Sequence, residues 1–180
     1  MAEKKRKDGR KKGPIQRLLT VTWKDPMIGA SAAGRMSGLN YLRAIQKGEI
    51  PPPPFMNLVG FRMVRIDKGR VVFDLKPAEY HYNLVGMVHG GVTSTILDSA
   101  MASAIQTTLP VGTPFATVEF KVNFFHPLSI ETGLVRCQAH VIHAGSRMAT
   151  AEGMLMDKRG KLFAHGTLTC LIFPAETNDL

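Results

Sequence analysis

The chain has 180 residues, enough for one ordinary domain with a real core plus an extension. Its 44% hydrophobic content is that of a globular protein, and no apolar run reaches the roughly 18–20 residues of a membrane span. The net charge of +9 resembles that of a nucleic-acid binder, yet residues 1–13 alone hold seven of the 23 Lys/Arg against Glu3 and Asp8.

That basic start reads as a solvated, disordered arm, residues 1–13. It lacks the apolar core of a secretory signal and any aromatic residue on which a base could stack, which argues against nucleic acid as a partner. Cys137 and Cys170 lie in strand-like segments without metal-ligand spacing, so they read as buried free thiols in a reducing compartment, the cytoplasm. Residues 14–54 form an extension. Within it, residues 14–36 carry no assignable pattern, and Trp23 is expected to pack on the domain or on a neighbouring subunit. Ser37 as N-cap, the spacing of Leu39, Leu42 and Ile45, and Gly48 as stop predict a helix over 37–47. Pro51 to Pro54 predict an extended brace.

From Phe55 to residue 175 the pattern is that of one domain. Runs over 58–66 and 70–75 flank a hairpin turn at Asp67-Lys68-Gly69. A long apolar helix is expected from about Gly90 to Leu109, stopped by Pro110 and Gly112. Four alternating runs follow. Ala116, Val118, Phe120, Val122 and Phe124 are assigned one face of the first, which places Thr117, Glu119 and Lys121 together on the other, the last two as an exposed ion pair. His140 and His143, three apart on the second run, are expected on opposite faces and so not as a metal pair. Six strands and one long apolar helix predict an α+β fold, an antiparallel sheet wrapped around the helix, with edges that oligomerisation would cover.

Between Tyr80 and Val118 the only formally charged side chain is Asp98, set in the apolar helix. A carboxylate there is costly unless it is paired or useful, and apolar surroundings should raise its pKa. Gly90 and Gly91 fall at the helix start, where unpaired N–H groups and the positive end of the dipole can receive a carbonyl oxygen. No Gly-Xaa-Ser-Xaa-Gly elbow is present.

The stretch Asn83-Leu-Val-Gly86-Met-Val-His89-Gly90-Gly91, then Asp98, with the later His126-Pro127 and the closing Ala164-His-Gly-Thr-Leu-Thr169, resembles the hotdog-fold thioesterases of the phenylacetate-pathway type. The resemblance spans about residues 37–173. It implies hydrolysis of acyl-CoA thioesters with Gly90 and Asn83 holding the carbonyl, Asp98 as general base or nucleophile, and Thr117 positioning water. His89, Gly91 and Arg147 are substrate-binding candidates. On the residues alone, Asn83 equally reads as an Asx-turn, His89 as a structural histidine, Thr117 as an ordinary strand threonine and Arg147 as a solvated arginine. Eight residues separate Gly90 from Asp98, roughly 12 Å along a helix axis. The resemblance resolves this with a site shared across a homodimer, which pairs further into a homotetramer. No metal or redox cofactor is implied. The acyl group is expected to be aryl or medium-chain, with Met87, Met101 and Ile105 near it. The alternative is a non-catalytic acyl-CoA sensor whose basic tail contacts nucleic acid.

Overall fold

The computed structural model describes residues 16–174. Strands β1 (Phe61–Asp67), β2 (Arg70–Leu75), β3 (Phe115–Phe124), β4 (Val135–Ala144), β5 (Met148–Asp157) and β6 (Leu162–Ile172) form one antiparallel sheet, ordered β1-β2-β4-β5-β6-β3. Against it packs α4 (Gly90–Gln106), which shares the core with β2, β4, β5 and β6. This is the sheet around a helix that the pattern predicted, and the hotdog fold that the resemblance implied.

The period-two runs put Val71, Phe73, Val135, Cys137, Ala151 and Leu168 against Ile96, Leu97, Ala100 and Met101, all essentially without exposure. Small residues decide how close the helix comes. Gly153 and Gly166 are register partners on β5 and β6. A Cβ on Gly153 would stand 3.1 Å from Met101 Cγ, and one on Gly166 3.2 Å from Met101 Cε. The sheet therefore presses on α4 where its side chains are absent.

Among the described residues, three helices precede the sheet. Residues 14–36, unassigned from sequence, contain α1 (Pro26–Ala33), whose N-cap Asp25 accepts the Met27 N–H at 2.9 Å. Trp23 is 63% exposed, so it does not pack on its own domain. α2 (Gly38–Gln46) is the helix expected from Ser37, and the Ser37 hydroxyl accepts the Asn40 N–H at 3.4 Å. A Cβ on Gly38 would collide with the Gln106 carbonyl, so α2 starts in direct backbone contact with the end of α4. Gln46 Nε2 donates to Val64 O at 2.6 Å and Arg43 Nε to Ile66 O at 3.1 Å, covering the open edge of β1.

The brace is corrected at its end. Pro54 is the first residue of α3 (Pro54–Val59), a position where the missing N–H costs nothing, and Gly60 closes the helix at φ 81°. The first strand accordingly begins at Phe61, not at 58. α4 also ends earlier than expected, at Gln106, because the Thr107 and Thr108 hydroxyls turn back onto Ala104 O and Ile105 O.

Two bulges overturn expectations about faces. On β3, Thr117 pairs with Cys170 while Glu119 pairs with Thr169, so Val118 is an extra residue and the alternation changes phase there. Thr117 shares the helix-facing side with Cys170, apart from Glu119 and Lys121. Glu119 accepts from the Thr169 hydroxyl at 3.0 Å, and no Glu119–Lys121 ion pair forms. On β4, Ile142 is the extra residue, which puts His140 opposite Glu152 and His143 opposite Thr150, on the same face. His140 bonds Glu152 at 3.2 Å, and His143 leans toward Gly145.

Candidate active site

The loop before α4 is pinned from both sides. Asn83 Oδ1 accepts the Val85 and Met87 N–H groups at 3.0 and 3.1 Å, and Asn83 N–H donates to Met87 O at 2.7 Å. The Asx-turn reading is thus realised, and it leaves the side-chain amide NH₂ of Asn83 as the group able to reach a ligand. Val88 N–H bonds Leu128 O, and His89 N–H bonds His81 O at 2.8 Å.

Beneath this loop lies His81, a residue that the sequence reading passed over. It is 4% exposed, takes the Ala78 N–H on Nδ1 and meets Val59 O through Nε2 at 2.8 Å. Because Nδ1 accepts, Nε2 carries the proton, and the ring is neutral. Burial holds its pKa below the usual histidine value, with the Val59 bond offsetting part of that.

At the helix start, His89 is the N-cap and its Nδ1 accepts the Gly91 N–H at 2.8 Å. His89 and Gly91 therefore satisfy each other, and the geometry fits His89 as a support of the glycine turn. The Gly90 N–H has no acceptor among the described residues. It opens on a hollow of about 410 Å³ shared by Asn83, Val85, Met87, Phe124 and His126. Phe124 is a neighbour not foreseen, since a Cβ on Gly90 would stand 3.3 Å from its ring.

Asp98 lies on a different hollow, of about 360 Å³, walled by α2, α3, β1 and β2. Burial raises the carboxyl above its ordinary value, and the hydrogen bond from the Thr117 hydroxyl draws it partly back. Thr117 Oγ1 also lies 3.8 Å from Cys170 Sγ. Burial pushes that thiol up, Thr117 pulls against it, and the Asp98 charge adds to the rise. The Val118 bulge hides the Asp98–Thr117–Cys170 contact from a reading by strict alternation.

Within one protomer, then, Asp98 meets Thr117, and Gly90 meets Asn83, but the two pairs do not share a hollow. Arg147 is exposed just before β5 and lines neither. Met101 and Ile105, expected near the acyl group, are fully buried in the core instead. Among the described residues no helix is long and apolar enough to cross a membrane.

Residues 85–164 match the Thioesterase superfamily profile. The chain is 30% identical over 130 residues to acyl-coenzyme A thioesterase 13 of Homo sapiens, covering 71% of this chain and 91% of that protein. A phenylacetic acid degradation-related protein from Ralstonia eutropha JMP134 superposes with a TM-score of 0.67 at 29% identity, over 73% of this chain and 99% of that one. A point mutant of the phenylacetic acid degradation protein PaaI from Thermus thermophilus gives 0.60 at 29%, over 66% and 97%. With sheet order, central helix and glycine turn all in place, the chain belongs to the thioesterase superfamily.

Proposed function

We propose that this protein hydrolyses acyl-CoA thioesters at sites shared between two copies of the chain. The observation that carries the reading is Asp98, a half-buried carboxyl raised by its surroundings, with the Thr117 hydroxyl beside it and an apolar hollow in front. Asp98 acts as general base. It takes a proton from water as the water oxygen bonds to the thioester carbon, and the carbonyl oxygen, now an oxyanion, accepts from Gly90 N–H. Collapse breaks the C–S bond, the proton passes from Asp98 to the departing thiolate, and free acid and CoA leave. The reaction balances with water alone.

Placement supports the sharing. Gly90 lies at the Phe124 end of β3, whereas Asp98 lies by Thr117 nearer the other end. Among the described residues the outer edge of β3 has no strand partner, and Val118 and Phe124 are more than half exposed. Two copies paired antiparallel along β3 bring the Gly90 hollow of each toward the Asp98 hollow of the other. Arg147, at the Phe115 end, would then approach the partner's bound CoA. The acyl group is apolar, aryl or medium-chain, and the named activity of the human relative is the nearest guide to the CoA ester. Two free buried cysteines fit a reducing cytoplasm.

The test is thiol release from a panel of acyl-CoA esters by wild type and Asp98→Asn. Turnover in wild type and a loss of at least about 10²-fold in the variant are expected. Equal turnover in both would remove Asp98 from the chemistry.

A further inference from the structure

The hollow beside Asp98 has walls of two origins. One side is α4 itself, through Asp98, Ala102 and Gln106. The rest comes from residues 33–73, chiefly Leu42 and Ile45 of α2, Phe55 and Met56 of α3, Met63 of β1 and Phe73 of β2. All of these precede residue 85, where the superfamily profile begins, whereas Gly90, Asp98 and Thr117 lie within it. The longer match to the human relative, 130 residues, takes in part of this wall as well.

That wall is a fixed structure. The Gly38 N–H bonds Leu109 O at 3.2 Å, Gln46 and Arg43 fasten α2 to β1, and the proline brace leads directly into α3. Within the wall Phe61 and Phe73 stack at 5.8 Å. Tyr41, the one hydroxyl in this wall, sits with its oxygen beside Gly29, where a Cβ would be 3.3 Å away. Apart from Tyr41, the polar side chains of the hollow belong to α4, and no Lys, Arg or His lines it to pair a carboxylate.

The geometry points to this hollow as the acyl site, and to the α2–α3 bracket as the element that selects the acyl group. The inference rests on the reading of Asp98 given above. A volume of about 360 Å³ is at the small end of ligand sites, which suits an aryl ring or a medium straight chain. An acyl group with a distal carboxylate is disfavoured, because the hollow would desolvate that charge with no cationic side chain to pair it.

The experiment measures kcat and KM of the full chain on acetyl-, hexanoyl-, decanoyl- and glutaryl-CoA. Two bracket variants are compared with wild type. Phe55→Ala opens the wall at a residue already half exposed, and Met63→Trp fills the hollow from β1. In wild type, KM should fall about fourfold per added methylene until the hollow is full, and the glutaryl ester should lag the hexanoyl ester by at least about tenfold. Met63→Trp should raise KM for decanoyl at least about tenfold more than it raises KM for acetyl. Phe55→Ala should flatten the length dependence. The inference is overturned if all chain lengths fall together, if neither variant changes the profile, or if light scattering shows that Met63→Trp dissociates the assembly, which would mean that a second copy fills the hollow. Asp98→Asn keeping full turnover while the bracket variants still shift the length profile would sink the general-base reading and leave this inference standing.

Discussion

Because burial favours the neutral form of the Asp98 carboxyl, keeping it ionised at neutral pH costs folding free energy. Its folded pKa lies above the unfolded value of about 3.9, so the stability it contributes is present below that value and is lost as pH rises through the folded pKa. Asp98→Asn should therefore unfold no earlier than wild type at pH 7, with a Tm higher by roughly 1–4 °C in calorimetry, even as activity falls. A lower Tm would mean that the carboxylate has a stabilising partner. Thr117→Ala removes the hydrogen bond that draws the carboxyl down, so the acid limb of kcat/KM against pH should move to higher pH; an unmoved limb would leave Thr117 no hold on Asp98. Asp98 was legible in the sequence because a single charge stood in an apolar helix. Cys170 was not, because a thiol in a strand carries no signal until its neighbour Thr117 is known.

The junction between the loop and α4 puts a backbone group to use, and backbone can be edited. Gly90 is the first residue of the helix, where proline is tolerated, and His89 before it already holds φ −58° and ψ 135°, suited to a residue preceding proline. Gly90→Pro thus deletes an N–H with little disturbance of the helix, though its ring leans on Phe124. We expect native circular dichroism and a fall in kcat of roughly 10²–10³-fold, the usual scale for one oxyanion donor. Unchanged kcat would show that the carbonyl is held elsewhere. The strands and the central helix were readable from alternation and from Pro110 and Gly112. What alternation concealed was its own interruptions at Val118 and Ile142, since an extra residue leaves no mark in composition. α3 was hidden for a related reason: Pro54 was read as a barrier to helix, yet it is a starter.

For the whole molecule, sharing of sites makes a prediction that no single variant can imitate. Asp98→Asn and Gly90→Pro homodimers are each expected to be inactive. Refolded together in equal amounts, they give mixed dimers in which one of two sites is intact. Activity should return to roughly a quarter of wild type, as an isologous two-fold requires. No recovery would place both groups in one protomer's site. Light scattering on the same samples distinguishes the dimer from the expected tetramer. The basic residues 1–13, and with them the nucleic-acid contact of the sensor alternative, lie outside the described residues.

The Val118 bulge has a bearing on how this protein can lose its activity. Val118 is 54% exposed within one protomer. Because it is the extra residue, the alternation closes over its loss: with Val118 removed, Thr117 directly precedes Glu119, still faces Cys170, and stays on the core side with Phe120. What a deletion takes away is the local bend of the edge strand, not the hydroxyl beside Asp98. A codon deletion here should leave a folded protein whose Thr117 still serves Asp98, and loss of hydrolysis with native circular dichroism would place the role of the bulge in pairing along β3.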